Sequence, residues 1–212
     1  STMATVSGPL FSLGASGTVG GSIVFATWKG RPYVRRHAIP SNPKSVSQLS
    51  VRAMMRFLSQ FWTSLSVSEK ADWETRAAVT NISPFNAYIA YNMDRWGREE
   101  YPSQQDPATE TGTPGTLTTE TATAGVRSIT ISDTVSVLAD NWGILLYRSV
   151  TTGFTPSRNN MYHVMPAVSA ATFTFLDTAV IVGTPYYYRG RAITDDGVAG
   201  ALWAEITATP TA

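Results

Sequence analysis

The sequence predicts an α+β chain: a glycine-rich arm, a β-hairpin with a small three-helix unit, then a C-terminal seven-stranded antiparallel β-sandwich. Three observations carry this. Residues 22–38 are rich in β-branched and aromatic side chains on both sides of a Lys29-Gly30 turn. Residues 45–96 change to apolar spacing of helical period, with three serine-headed starts. From Leu117 onward, short strand-like runs are divided by turns about every 8–12 residues. The organisation expected is an arm over 1–21, a hairpin and helical domain over 22–98, a linker over 99–116 and the sandwich over 117–212.

The arm carries Gly8, Gly14, Gly17, Gly20 and Gly21. Glycine costs entropy to order, so the arm is expected to be flexible or to order against a neighbouring subunit. Gly17-x-x-Gly20 lacks the Gly-Lys-Ser/Thr ending of a phosphate loop, and a strand rather than a helix follows it. The hairpin pairs Ile23–Trp28 with Tyr33–Ala38, and Pro32 marks an edge. Tyr33, Arg35 and His37 fall on one face, and Val34 and Arg36 on the other. Arginine on both faces suits a hairpin that packs on the helices or on another subunit, because an isolated hairpin is only marginally stable.

Ser45-Val-Ser-Gln48 and Ser66-Val-Ser-Glu69 have the form of capping boxes, and Ser83-Pro84 that of an N-cap followed by proline at the first helical position. Helices are therefore expected to start at these three points. Their apolar stripes include Met54, Phe57, Leu58, Trp73, Tyr88 and Trp96, and Gly97 is the expected stop. Lys70–Glu74 and Asp72–Arg76 are spaced to pair along the second helix. Prolines 102, 107 and 114 with glycines 112 and 115 exclude a regular element over 99–116. The strands expected beyond are 117–123, 127–133, 142–150, 160–168, 172–176, 185–194 and 201–209, a pattern of immunoglobulin-like type. Ile129, Ile131, Ile144, Leu146 and the stem of Arg148 are assigned inward.

Composition narrows the function classes. Residues 1–100 hold eleven Lys and Arg against six Asp and Glu, and residues 101–212 hold five against nine. The resulting +5 is mild, which places nucleic acid low among partners. The absence of cysteine excludes disulfides and thiolate metal sites. No apolar run approaches the ~18 residues of a membrane helix. The first residues lack the basic start and apolar stretch of a signal peptide, so synthesis in a cytoplasm and no membrane partner are expected. No His-Glu-x-x-His, Gly-x-Ser-x-Gly or Gly-x-x-x-x-Gly-Lys pattern occurs. His37 and His163 read as surface strand residues, and Asp195-Asp-Gly197 as a turn. No enzymatic activity, catalytic residue, cofactor or metal is expected.

The C-terminal half resembles a fibronectin type III domain through Trp142-Gly-Ile-Leu-Leu-Tyr-Arg-Ser149, Thr174-Phe-Leu-Asp177 and Thr184-Pro-Tyr-Tyr-Tyr-Arg-Gly-Arg-Ala192. It departs in lacking the tryptophan usual early in the second strand, where Ile129 or Ile131 stands. The N-terminal half resembles phage and prophage proteins through Gly17-Thr-Val-Gly-Gly, Trp28-Lys-Gly-Arg-Pro-Tyr-Val-Arg35, Asn42-Pro-Lys-Ser-Val-Ser-Gln48, Trp73 and Phe85-Asn-Ala-Tyr88. The resemblance implies a bacteriophage virion structural protein, a head- or tail-associated attachment or decoration component. Its partners would be other virion proteins and copies of itself. The residues expected to anchor it are Trp28, Lys29, Arg31, Tyr33, Arg35 and Arg36. The alternative is a module binding a host surface glycan or receptor, with Trp142, Tyr162 and Trp203 as exposed aromatic contacts.

Overall fold

A computed structural model describes residues 17–29, 31–39, 45–134, 140–166 and 172–212. The chain divides into two compact units, Ser1–Pro43 and Lys44–Ala212. Its class is mixed α+β, with three α-helices and antiparallel sheets among the described residues.

The described part of the first unit is one sheet of three strands, β1 Gly17–Val19, β2 Ile23–Trp28 and β3 Arg31–Arg36, in that order. The hairpin forms where expected: Trp28 pairs with Arg31, and Lys29 between the strands takes a left-handed φ of 48°. Residues 17–19, expected as the end of the arm, are instead a third strand, with Gly17 opposite Phe25 and Val19 opposite Ile23. Gly20 and Gly21 turn the chain into β2, and residues 1–16 lie outside the described residues. The hairpin lies within Ser1–Pro43 and the helices within Lys44–Ala212.

The second unit is built in layers. Its helices are α1 Val46–Phe61, α2 Val67–Thr80 and α3 Pro84–Gly97, with a short 3-10 turn between the first two. Each begins at its expected serine: Ser45, Ser66 and Ser83 accept from the backbone N–H three residues on. Only Ser66 and Glu69 complete the reciprocal box, the Ser66 N–H donating to Glu69 Oε2 at 2.6 Å. Asn81 at φ 53° closes α2. The helix-surface pairing of Arg76 with Asp72 is superseded by a charged contact to Asp106, whose Oδ1 accepts from Arg76 Nη2 at 2.6 Å.

Seven strands follow: β4 Thr121–Gly125, β5 Ser128–Thr134, β6 Asn141–Ser149, β7 Met161–Pro166, β8 Thr172–Asp177, β9 Tyr186–Thr194 and β10 Ile206–Ala208. They make an antiparallel sheet of order β10-β9-β6-β7 and another of order β4-β5-β8. One buried cluster takes side chains from both sheets, including Ile129, Ile131, Ile144, Leu146, Tyr188 and Trp203. A second joins the helices to the opposite face of the four-stranded sheet through Phe57, Leu58, Trp73, Leu145, Tyr147 and Val164. Strand β6 is thus covered on both faces, which explains why residues 142–147 read as a continuous apolar run without alternation.

The segment over 99–116 contains no regular element, yet it is not a free connector. Trp73 Nε1 donates to the Gln104 carbonyl at 2.9 Å, and Asn92 exchanges two hydrogen bonds with the Ser103 backbone. On the sheet side, Asp196 Oδ2 accepts from Thr111 N and Gly112 N, both at 2.6 Å, and Asn141 Oδ1 accepts from Gly115 N at 2.6 Å. Turns of proline and glycine here serve as a strap, because their backbone groups find partners on both layers.

Candidate functional site

The candidate anchoring residues belong to the first unit. Residues 1–43 contain four Lys and Arg and no Asp or Glu. The register places Arg36 opposite Ile23 and Val34 opposite Phe25 on one face, and Arg35 opposite Val24 and Tyr33 opposite Ala26 on the other. Cross-strand partners share a face, so each side of the sheet mixes bulky apolar groups with an arginine. No described residue of this unit is buried: Ile23 is 43% exposed, Tyr33 42% and Val34 59%. The sheet therefore exposes Tyr33 and Arg35 on one face and Arg36 on the other, with Lys29 exposed between β2 and β3. The strand positions of Trp28 and Arg31 are given by the register, while their side chains lie outside what is described.

The aromatic contact residues are corrected by the structure. Trp142 is only 2% exposed. A β-bulge between Asn141 and Gly143 shifts the register there, and the indole packs on Phe57 and Phe61 of α1, with ring centroids 4.7 and 5.6 Å away. Trp203 is 5% exposed and lies over Gly190, with Phe173 stacked at 6.4 Å. Tyr162 is half-buried, and its hydroxyl donates to Asp177 Oδ1 at 2.9 Å. The three do not converge on a surface.

Asp177 is instead the centre of a buried polar network. It has no exposed surface. It accepts from Arg148 Nη1 at 2.7 Å, Tyr188 Oη at 2.8 Å and Ala179 N at 3.0 Å besides Tyr162. Arg148 also lies 3.7 Å from the Tyr162 ring centroid. Its stem is thus inward, as assigned, with the charge met by a carboxylate. Burial pushes the Tyr162 hydroxyl up to about 12 and the Tyr188 hydroxyl further, so both remain donors. A charge pair enclosed by hydroxyls fixes the position of β6, β8 and β9, and offers no nucleophile.

Beside this network, α1 and strands β7 and β8 border a cleft of about 440 Å³ lined by Arg52, Arg56, His163 and Phe175. His163 is half-buried and stacked on Phe175, with ring centroids 4.4 Å apart, so it is less exposed than expected of a surface strand residue. Burial, and then the Arg56 charge, hold its pKa below the ordinary imidazole value. Among the described residues no group of three or more His, Cys, Asp or Glu side chains gathers as a metal site. No described helix is long and apolar enough to cross a membrane.

The sequence matches no protein-family model and no curated protein. Among solved structures, a β-1,2-glucanase from Parabacteroides distasonis is similar over 48% of this chain, at 17% identity and a TM-score of 0.35. That similarity spans 14% of the glucanase. An Fn3-like protein from Clostridium thermocellum is similar over 48% of this chain and 97% of its own length, at 19% identity and a TM-score of 0.31.

Proposed function

We propose that the protein is a bacteriophage virion component, attached to the particle through its basic three-stranded sheet. The observation that carries this reading is the unburied state of that sheet. A folded element that displays Ile23, Tyr33 and Val34 beside Arg35 and Arg36 gains stability when a partner covers it. Its four cations and lack of carboxylates favour an acidic protein surface, either another virion protein or a further copy of this chain. The seven strands of the second unit are read as a fibronectin type III-like sandwich, supported by the strand orders β4-β5-β8 and β10-β9-β6-β7 and by the core that both sheets share. In this reading the second unit projects and the first holds.

Peptide mass spectrometry of purified particles tests the proposal. The chain is expected in the particle, and a variant lacking residues 1–38 is expected to be absent from it. Particles without the wild-type chain would overturn the reading. The glycan- or receptor-binding alternative loses its aromatic platform, since Trp142 and Trp203 are interior.

A further inference from the structure

The C-terminal end of α3 borders, together with β6, β9 and the loop at 156–158, a small cavity of about 80 Å³. Trp96 and Tyr147 line it and are 4% and 3% exposed. Arg191 lines it from β9, and Arg158 and Glu99 stand at its exposed side. What distinguishes this cavity is an excess of donors. Trp96 Nε1 and Arg191 Nε are both buried and have no hydrogen-bond acceptor among the described residues. Arg191 spends another N–H on the Tyr101 hydroxyl, which leaves the tyrosine's own proton to donate. Arg158 Nη1 donates to the Gly97 carbonyl at 2.7 Å.

The charge balance points the same way. Arg76, Arg95, Arg98, Arg148 and Arg189 each have a carboxylate within ion-pair distance. Arg158 and Arg191 have no such carboxylate among the described residues, as is also true of Arg35, Arg36, Arg56 and Arg127, but these two share the lining of this cavity. An unpaired buried N–H is costly, so the Trp96 and Arg191 donors, with the Arg158 guanidinium beside them, favour an acceptor that carries negative charge. Water supplies acceptors and no charge. The size admits several waters or one compact anion.

We propose that this cavity binds a small tetrahedral oxyanion, phosphate or sulfate, held by Arg158, Arg191 and the Trp96 indole N–H. Glu99 is the one carboxylate on the lining and opposes the anion. The site stands independently of how the protein attaches to a particle.

The test is calorimetric titration of the full chain with inorganic phosphate and with sulfate, against chloride at matched ionic strength. A paired two-dimensional NMR titration follows the Trp96 indole N–H, assigned with Trp96→Phe. The expected result is saturable one-to-one binding of phosphate or sulfate and a shift of the Trp96 signal. Arg158→Gln, at an exposed position, is expected to weaken binding about tenfold with the fold intact by circular dichroism. Glu99→Gln is expected to tighten it. Absence of saturable binding, a stationary Trp96 signal, or unchanged affinity in Arg158→Gln would show a hydrated cavity and overturn the proposal.

Discussion

The ring of Phe57 occupies the space that a side chain at Gly143 would need. An ideal Cβ on residue 143 would stand 2.8 Å from Phe57 Cζ and 2.9 Å from Cε2. Gly190 has the same relationship with Trp203, at 2.7 Å from Cη2. One glycine seats the helix layer on β6 and the other seats an indole on β9, so each layer contact depends on a missing methyl group.

Gly143→Ala is therefore expected to lower stability by about 1–3 kcal/mol through overpacking. Gly190→Ala should do the same. Urea denaturation of both variants checks this. A double variant, Gly143→Ala with Phe57→Leu, should recover part of the loss at position 143, which would assign the strain to the ring rather than to the backbone.

Asp177→Ala is expected to cost about 3–5 kcal/mol, because it strands the Arg148 guanidinium, whose side chain is 16% exposed, without its carboxylate. Arg148→Met combined with Asp177→Leu should cost less than the sum of the two single changes, with a residual loss from the Tyr162, Tyr188 and Ala179 donors left without Asp177. Thermal unfolding of the three variants reads the difference.

His163 predicts a pH dependence. Its folded pKa lies below the ordinary value of 6.5, so the unfolded chain binds the proton more tightly. Stability contributed by neutral His163 is present above that value and is lost as pH falls through the folded pKa. Denaturation curves from pH 5 to 8 should show stability rising with pH in that window. His163→Gln should flatten this contribution.

The exposed sheet predicts a separation of stability from attachment. Val34→Glu and Arg35→Glu should leave unfolding of the full chain within about 0.5 kcal/mol of wild type, since neither side chain is buried. Both should reduce incorporation into particles. A fall of several degrees in Tm for either would mean that the sheet supports the fold and is not a free platform.

Helix starts and most strand positions were legible because they rest on local chemistry, whereas the strands expected over 117–123 and 201–209 stand at Thr121–Gly125 and Ile206–Ala208. Ser45, Ser66 and Ser83 announce their helices through short-range hydrogen bonds, and Lys29 takes the left-handed backbone conformation between β2 and β3. The layered arrangement was less accessible. Trp142 reads as an exposed aromatic at a strand end, and only the bulge beside it and the rings of α1 bury it. The clue was the unbroken run from Trp142 to Tyr147, which a strand covered on one face does not need. The strap over 101–115 was hidden for another reason. Its composition specifies the absence of helix and strand, while its partners Trp73, Asn92 and Asp196 are distant in sequence. The three-stranded sheet was legible as a hairpin, but its third strand was hidden by glycines that usually signal freedom.

Strand β6 is a wall shared by two rooms. Losing the helices would uncover Leu145 and Tyr147, and losing the β4-β5-β8 sheet would uncover Ile144 and Leu146. Neither event leaves the other core intact, so the helical layer and both sheets should melt in one transition with a single calorimetric enthalpy. The amides of β6 should be the last in the chain to exchange their hydrogens with deuterium, since they open only when everything on both sides has gone.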